Sequence, residues 1–299
     1  MTEKKNIRII LNPSAGVKDP PLSLFNTVFK EAGYDYDIVM TKDRGDGCRL
    51  SKQAVQDGAD IVAAYGGDGT VMEVACGLQK SNIPMAIFPG GTGNILSVEL
   101  GIPHNIEAAC NLIIQPDTSR IRLIDVGGTD DPDMPGFVLR AGVGLEADML
   151  EGTDRELKDK FGIFAYIIGG MQALKEVKES LYHLVLDGQS IESKGLTCLI
   201  ANAGFFGVPG LTLDPKVKVD DGLLDVFVIQ KTDLVGLFSL AASLVGGTEK
   251  KDAAQHWQVK SVKIEADPAQ ATQADGEMWG KSPIELTIQP NSLKVIVPA

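Results

Sequence analysis

The chain has 299 residues, of which 44% are apolar, and a formal net charge of −12. A chain of this length can form one large domain or two smaller ones, each with its own core. Its negative charge excludes broad electrostatic attraction to nucleic acid or anionic lipid, because such binding depends on Lys and Arg. The two longest apolar runs, 161–174 and 234–247, are shorter than the roughly 20 residues of a membrane-spanning helix.

The first 120 residues alternate short apolar runs with segments of helical pattern. Predicted strands cover residues 6–11, 35–40, 61–65 and 85–88, and predicted helices cover 22–32, 46–57, about 68–78 and 106–114. Such alternation predicts an α/β domain over residues 1–120 with a mostly parallel sheet.

A glycine turn that carries an acid follows the third strand. The buried-strand pattern of residues 61–65 leads into Gly66-Gly67-Asp68-Gly69-Thr70 and then into a helical pattern. Glycines let a backbone approach a ligand closely, and the N–H groups at a helix start attract anions. The turn therefore predicts a phosphate or nucleotide site. Since a carboxylate cannot bind phosphate unaided, Asp68 is predicted to act through a metal ion or to orient a reacting group.

A second glycine turn, Gly91-Thr92-Gly93-Asn94, follows the fourth strand. Residues 12–16 and 41–46 follow the first and second strands in the same way. In open α/β sheets, ligands bind at the carboxyl ends of the strands, so these loops predict one shared site. The chain has neither a P-loop signature nor a dinucleotide G-x-G-x-x-G after the first strand, which disfavours those two enzyme classes.

After about Arg120, strand-like runs separated by Gly, Asp and Pro dominate the sequence. They cover residues 121–126, 137–141, 182–186, 196–202, 224–230, 259–266, 284–288 and 293–297. The pattern predicts a β-rich, antiparallel, sandwich-like domain over residues 121–299, with helical patterns near 156–178 and 233–246. The last strand could return to either domain.

Two acidic turns in this half have two interpretations each. The turn at 218–225 is either a solvated turn or a hard-cation site built from carboxylate and backbone oxygens. The turn at 273–277 is either an ordinary hairpin turn or, if it lies near the phosphates, the source of a general base. The four cysteines are predicted to be reduced structural thiols, and the three histidines, which show no partner spacing, to be structural.

The ordered series of motifs resembles the bacterial diacylglycerol kinase and lipid kinase family, which is related to eukaryotic sphingosine and diacylglycerol kinases. The resemblance runs nearly from end to end of the chain. Its motifs are Asn12-Pro13 with Gly16, Thr41 with Gly45-Asp46, Gly66 to Thr70 with Glu73, Gly91 to Asn94, Asn202 to Gly204, Asp220-Asp221-Gly222, and Asp275-Gly276-Glu277. The glycine motif alone also occurs in NAD kinases and phosphofructokinases.

This resemblance implies a two-domain kinase that uses ATP and Mg²⁺ in a cleft between its domains. It implies two catalytic residues, Asp68 on the metal side and Glu277 as the base that takes the proton from a lipid hydroxyl. It implies a structural Mg²⁺ site formed by the Asp221 carboxylate and the backbone carbonyls of Lys218 and Leu223, and a lipid head-group contact at Asp148. The implied nucleotide-binding residues are Asn12, Pro13, Gly16, Thr41, Gly66, Gly67, Asp68, Gly69, Thr70, Glu73, Gly91, Thr92, Asn94 and Asp275.

We therefore expect an ATP- and Mg²⁺-dependent lipid kinase, with diacylglycerol as the leading substrate and phosphatidic acid as product. Met72 and Ile95 stand where family members often carry Asn and Asp, and the loss of those polar groups could alter nucleotide preference or rate. The alternatives are a soluble-substrate kinase of the NAD-kinase type and a nucleotide- or lipid-binding protein without turnover. We expect a cytoplasmic protein that contacts the inner face of the membrane transiently and binds no nucleic acid. A homodimer is left open.

Overall fold

The computed structural model describes residues 5–15, 20–131, 134, 136–144, 179–205, 212–230 and 255–299. The chain divides into two compact units. The first unit holds Met1–Val126 and Pro290–Ala299, and the second holds Gly127–Gln289.

Strands and helices alternate in the first part of the chain, and the described elements after residue 118 are strands. The strands are β1 (Asn6–Leu11), β2 (Asp35–Met40), β3 (Ile61–Gly66), β4 (Met85–Pro89), β5 (Ser119–Gly128), β6 (Arg140–Gly144), β7 (Ser180–Leu186), β8 (Gln189–Gly195), β9 (Thr197–Ala201), β10 (Leu224–Ile229), β11 (Gln255–Val259), β12 (Ser261–Asp267), β13 (Ala271–Ala274), β14 (Glu277–Lys281) and β15 (Ile284–Pro298). The helices are α1 (Leu22–Glu31), α2 (Asp46–Gln56), α3 (Asp68–Leu78), α4 (Ile95–Glu99) and α5 (Ile106–Ile114), with a short 3₁₀ turn at Pro116–Thr118.

The first unit is built on a parallel sheet. Its strands lie in the order β2-β1-β3-β4, and the end of β15 pairs with β4, also in parallel. Every residue of β3 and β4 is buried, which explains why both read as continuous apolar runs. On one face of the sheet, Phe25 of α1 packs against Phe88 and Tyr65, with ring centroids 5.2 and 6.1 Å away. Because the four strands run in parallel, the loops after them share one edge of the sheet.

The second unit consists of antiparallel strands. One run is β11-β10-β9-β6-β13-β14, and the other is β8-β7-β12 with the beginning of β15. Their inward-facing side chains form a common apolar core that includes Phe137, Tyr182 and Leu286. A parallel α/β unit followed by an antiparallel β unit confirms the predicted fold class.

Several strand boundaries differ from those predicted. The predicted strand 259–266 begins at the last residue of β11 and continues into β12, and these two strands pair in different sheets. At the break between them, Asp187 accepts hydrogen bonds from the backbone N–H groups of Lys260 and Ser261. The predicted strands 284–288 and 293–297 are one strand, β15, in which Asn291 has a positive φ of 53°. The predicted strand 137–141 begins later, at Arg140. β8, β13 and β14 were not predicted.

The prediction that all four cysteines are reduced is wrong for one pair. Cys48 of α2 and Cys76 of α3 form a disulfide, with their Cα atoms 5.3 Å apart and a sequence separation of 28. Each lies on a different helix, so the contact depends on how the helices pack and not on a local spacing. Cys110 and Cys198 are buried free thiols, and burial raises the pKa of Cys110 to about 12.

The described helices include none that is both long enough and apolar enough to span a membrane. The apolar runs 161–174 and 234–247, and the helical patterns predicted around them, lie outside the described residues.

Candidate functional site

Four loops meet at the carboxyl edge of the parallel sheet. Thr41 follows β2, Asn12 follows β1, Gly67 follows β3 and Gly90 follows β4, and these strands are consecutive in the sheet. Backbone hydrogen bonds join neighbouring loops, since Thr41 N donates to Leu11 O at 2.9 Å and Asn12 N donates to Tyr65 O at 3.0 Å. The structure thus brings together the loop residues that the motifs singled out.

The two glycine turns pack directly on each other. Gly90 N donates to Gly66 O at 2.8 Å. A Cβ atom on Gly91 would collide with the Cα atom of Gly67, and one on Gly67 would lie 3.3 Å from the Cα atom of Gly91. Glycine is needed here because two backbones, and not only a backbone and a ligand, must approach each other closely.

Asp68, the first residue of α3, joins this helix to the start of α4, directly after the second glycine turn. Its Oδ1 accepts the backbone N–H of Ile95, the first residue of α4, at 2.6 Å. Such a bond to an ionised group typically contributes about 1.5–3 kcal/mol. Its Oδ2 lies beside Gly93, where a Cβ atom would approach it to 2.7 Å. The missing side chain at Gly93 therefore avoids a collision with this oxygen.

Asn94 closes the second glycine turn on itself. It is buried, has a positive φ of 48°, and bonds both backbone groups of Gly91, with Oδ1 accepting at 3.0 Å and Nδ2 donating at 2.7 Å. The neighbouring Thr92 is exposed. Of the two polar residues in this turn, Thr92 is thus the exposed one.

Asn12 and Thr70 join the first loop to α3. Asn12 Nδ2 donates to Thr70 Oγ1 at 2.9 Å, and Asn12 Oδ1 accepts from Ser14 N at 2.9 Å. Thr70 is buried, and its side chain occupies the position that a Cβ atom on Gly66 would need. Pro13 is exposed, and Gly16 lies outside the described residues.

Glu73 attaches the loop after β2 to α3. Its Oε1 and Oε2 accept the backbone N–H groups of Gly45 and Gly47, both at 2.8 Å. Asp46, between them, accepts from the backbone of Lys42, and its hydrogen bond with Arg49 holds the pKa of its carboxyl well below the usual range. In the structure, Glu73 thus holds this loop against α3. The nucleotide contact expected of Glu73 stays a prediction.

The start of α3 combines polar side chains with a backbone position, Gly69, that has no close neighbours among the described residues. The first turn of α3 contains Asp68, Gly69 and Thr70, and nothing lies within 4 Å of the position that a Cβ on Gly69 would take. The N–H groups of a first helical turn have no partners within the helix. Such a rigid turn can hold an anion, provided that the charge of Asp68 is offset.

In the second unit, the turn between β13 and β14 consists of Asp275 and Gly276, and Glu277 follows it directly. Asp275 accepts three backbone N–H groups from residues 138–140, and burial raises the pKa of its carboxyl to about 6 against the lowering effect of these donors. Glu277, the first residue of β14, is exposed. An exposed carboxylate is accessible to a proton donor from solvent or a ligand. The Asp275 carboxylate is bound by backbone N–H groups of its own unit.

The predicted structural Mg²⁺ site lies on the loop before β10. Val217 and Val219 are buried there, Lys218 and Asp221 are exposed, and Leu223 N donates to Asp221 Oδ1 at 3.0 Å. Among the described residues, no group of three or more His, Cys, Asp and Glu side chains could hold a metal. A cation at this loop would therefore depend on backbone carbonyls beside one carboxylate, a donor set of hard oxygens that fits Mg²⁺ or Ca²⁺. Asp148 lies outside the described residues.

Sequence reasoning missed the partners of His256. Its Nε2 lies 2.6 Å from Oδ1 of the buried Asp225, its Nδ1 lies 3.8 Å from Oδ2 of Asp214, and its ring stacks on Phe227. Burial raises the pKa of the Asp225 carboxyl. The signal available in the sequence was a buried-strand acid, Asp225, within an apolar run, since such a group needs a partner.

Comparisons with known proteins agree with this architecture. Residues 6–126 match the model of the diacylglycerol kinase catalytic domain, and residues 140–297 match that of the YegS C-terminal NAD kinase beta sandwich-like domain. The chain is 34% identical over 255 residues to the uncharacterized protein sll0036 of Synechocystis, covering 84% of this chain and 58% of that protein.

Two further relatives match nearly the whole chain. A diacylglycerol kinase of Staphylococcus aureus is 27% identical, covering 99% of this chain and 93% of its own. The crystal structure of a diacylglycerol kinase from Bacillus anthracis is 25% identical, covers 99% of this chain and 98% of its own, and superposes with a TM-score of 0.81. With both halves matched in order, the chain belongs to the diacylglycerol kinase family of lipid kinase-like enzymes.

Proposed function

We propose that the protein transfers the γ-phosphate of ATP to a hydroxyl group of a membrane lipid, most simply diacylglycerol, to give phosphatidic acid. The observation that carries this proposal is the pair of interlocked glycine turns bridged by Asp68, in a stretch that matches the diacylglycerol kinase catalytic domain. Phosphoryl transfer requires positioning and charge neutralisation more than covalent chemistry. The hydrogen-bonded loops at the carboxyl edge of the sheet, with Asp68 among them, supply the positioning.

On the phosphate side, residues 66–70 and 91–94 would bind ATP through their backbone N–H groups and the hydroxyl of the exposed Thr92. Thr41, Asn12 and Glu73 fix the surrounding loops through the hydrogen bonds already described. Mg²⁺, when bound, would neutralise phosphate charge, and the Asp68 carboxylate at the start of α3 is the kind of oxygen ligand that fits it. Asp221, with the carbonyls of Lys218 and Leu223, would hold a second, structural ion.

On the acceptor side, Glu277 would take the proton from the lipid hydroxyl. Its carboxylate is exposed at the start of a strand whose hairpin is firmly bonded to the rest of the second unit. The adjacent Met278 keeps 40% of its surface exposed, which supports an apolar acceptor. Substrate selection at Asp148 stays a prediction from the family resemblance.

The direct test is to incubate the full chain with radiolabelled ATP and mixed-lipid micelles, with and without Mg²⁺. Labelled phosphatidic acid should form when diacylglycerol and Mg²⁺ are both present. Asp68→Ala should lower the rate by at least about 10²-fold while the protein stays folded, since it removes charge stabilisation at the transferring group. A mass-spectrometric screen of products from a lipid panel would identify another acceptor.

A soluble acceptor is the second candidate, because the second half of the chain matches a domain described as NAD kinase beta sandwich-like. The same assay with NAD in place of lipid separates the two. Labelled NADP with no lipid product would overturn the lipid proposal. No transfer to any acceptor, with retained ATP binding, would favour a non-catalytic binding protein.

A further inference from the structure

The turn that presents Glu277 is bonded to a distant part of the second unit by one side chain. The Asp275 carboxylate accepts backbone N–H groups from three consecutive residues: Val138 at 2.7 Å, Leu139 at 3.0 Å and Arg140 at 2.9 Å. The Asp275 N–H donates to Arg140 O at 2.9 Å. Main chain and side chain of Asp275 therefore hold the same segment, 138–140.

This segment is also held from its carbonyl side. Asn202, which is fully buried at the end of β9, donates from Nδ2 to Val138 O at 2.7 Å and from its backbone N–H to Leu139 O at 2.9 Å. The Asn202 and Asp275 motifs, 73 residues apart in the sequence, thus meet on one stretch of backbone. Asn202 and Asp275 therefore hold the same backbone segment, and the turn before Glu277 is attached to that segment.

The hydrogen bonds of Asp275 leave it little capacity for a ligand. A carboxylate offers about four acceptor positions, and backbone N–H groups occupy three of them here. A negative group also repels phosphate. A role for Asp275 as a direct nucleotide contact therefore has less support than a role within the protein.

We propose that Asp275 is a positioning residue, whose carboxylate fixes the β13–β14 turn on segment 138–140 and so sets where Glu277 presents its own carboxylate. The proposal rests on Glu277 being the proton acceptor of the proposed kinase reaction. A displacement of about 1 Å at a reacting group can lower a rate by about 10²-fold, so a loosened turn should lower kcat strongly.

The chain contains a matched control for this turn. Asp187, in the β7–β8 turn, also has a positive φ, and its carboxylate accepts the backbone N–H groups of Lys260 and Ser261 at distances of 2.8–3.1 Å. The Asp187 N–H donates to Ser261 O at 3.1 Å, as that of Asp275 does to Arg140 O. Asp187 precedes no residue of the proposed site.

The experiment measures kcat, the KM for ATP and the melting temperature for wild type, Asp275→Asn and Asp187→Asn. An Asn side chain would turn an N–H donor toward backbone donors in both turns. We expect Asp275→Asn to lower kcat by about tenfold or more and to leave the KM for ATP within about twofold. Asp187→Asn should lower the melting temperature without changing kcat.

Two results would overturn the proposal. Unchanged kcat in Asp275→Asn would remove the positioning role, and a raised KM for ATP in that variant would then make Asp275 a nucleotide contact. Equal losses of kcat in the two variants would reduce both residues to a general contribution to stability.

If Asp275→Asn fails to fold, a milder pair of substitutions, one in each turn, provides the test. Gly276 and Gly188 have φ values of 85° and 86°, and a Cβ atom at either would touch nothing within 4 Å. Substitution by Ala therefore strains each turn equally without a collision. Gly276→Ala should lower kcat several-fold and Gly188→Ala should not; equal kcat values would contradict the proposal.

A fluorescence measurement, which needs no catalysis, tests this proposal separately from the proposed lipid kinase activity. Trp279 of β14 packs edge-on against the buried Phe137, with ring centroids 6.2 Å apart. In a Trp257→Phe background, Asp275→Asn should increase the quenching of Trp279 fluorescence by iodide, and Asp187→Asn should not. Unchanged quenching would refute the positioning role even if no lipid were phosphorylated, whereas increased quenching in a protein without lipid kinase activity would refute only the proposed function.

Discussion

The β7–β8 and β13–β14 turns of the second unit share one local structure. Each contains an Asp-Gly pair with positive φ at both residues, 47° and 86° in the first turn and 45° and 85° in the second. In both, the Asp carboxylate accepts backbone N–H groups from a segment more than 70 residues away in sequence. The two turns differ in their surroundings and in the residue that comes next in the chain.

The surroundings change the acidity of the two carboxyl groups in opposite directions. At Asp187, burial works to raise the pKa, but the N–H donors of Lys260 and Ser261 and the Ser261 hydroxyl outweigh it, so the pKa is lowered. At Asp275, burial prevails over the donors and raises the pKa to about 6. The turn before β8 leads into Gln189, and the turn before β14 leads into Glu277. The same local motif therefore serves structure alone in one place and, as we propose, structure plus catalysis in the other.

The largest expected difference between the turns is the effect of the residue directly after each. Glu277→Ala should lower kcat by about 10²–10⁴-fold, the usual contribution of a general base. Gln189→Ala should leave kcat unchanged, because Gln189 is an exposed strand residue with no ionisable group. Steady-state lipid phosphorylation measures both, and wild-type-like turnover in Glu277→Ala would make the two turns functionally equivalent.

A smaller effect tests whether the two turns of the second unit stay native when the first unit is destabilised. Reducing the Cys48–Cys76 disulfide should destabilise the first unit by about 3 kcal/mol, since the bond closes a loop of 28 residues. The signal is a lower midpoint of urea unfolding followed by circular dichroism at 222 nm, because all described α-helices lie in the first unit. Fluorescence of Trp257 and Trp279, both in the second unit, should still show the native turns. Four titratable thiols in the unreduced, denatured chain would contradict the disulfide, which predicts two.

The smallest expected effect is the opposite pH response of the two turns. Because the folded pKa of Asp275 is raised above the unfolded value of about 3.8, the folded state holds more protons between pH 4 and 6. Its contribution to stability therefore grows as the pH falls through 6, by about 1–2 kcal/mol once solvent screening is allowed for. The folded pKa of Asp187 is lowered, so its contribution is present above pH 4 and is lost on acidification.

The measurement compares each Asn variant with wild type, since an amide does not titrate. The unfolding free-energy difference between wild type and Asp187→Asn should shrink from pH 6 to pH 3. The stability of wild type relative to Asp275→Asn should rise from pH 7 to pH 5. Parallel pH profiles for the two variants would show that the surroundings of the turns are equivalent.

The first unit was largely predictable from the sequence because its signals are local. The buried strand at 61–66 is continuously apolar, and the turn after it has glycines at positions where another backbone must approach. The second unit was less so. β8 is polar along most of its length and β13 has only four residues, so neither shows the alternation by which strands are recognised.

The partners of individual side chains were least predictable. The Glu73 and Asp275 motifs indicated ligand binding, yet the structure shows both carboxylates on backbone N–H groups of distant segments. The pairs Cys48–Cys76 and His256–Asp225 likewise join elements separated in sequence by 28 and 31 residues. Such contacts depend on packing between elements, which residue spacing does not encode.

The final strand, β15, determines when the first unit can be complete. Val295 pairs with Met85 of β4, and Ser292 O accepts the backbone N–H of Lys80. During synthesis, this edge of β4 therefore stays uncovered until about 200 further residues have been added. Until then, its unpaired backbone N–H and C=O groups can pair with other chains. Cutting the chain after Val126 would make that delay permanent. A truncated first unit should consequently aggregate, whereas the same unit supplied with residues 290–299 through a short linker should remain monodisperse.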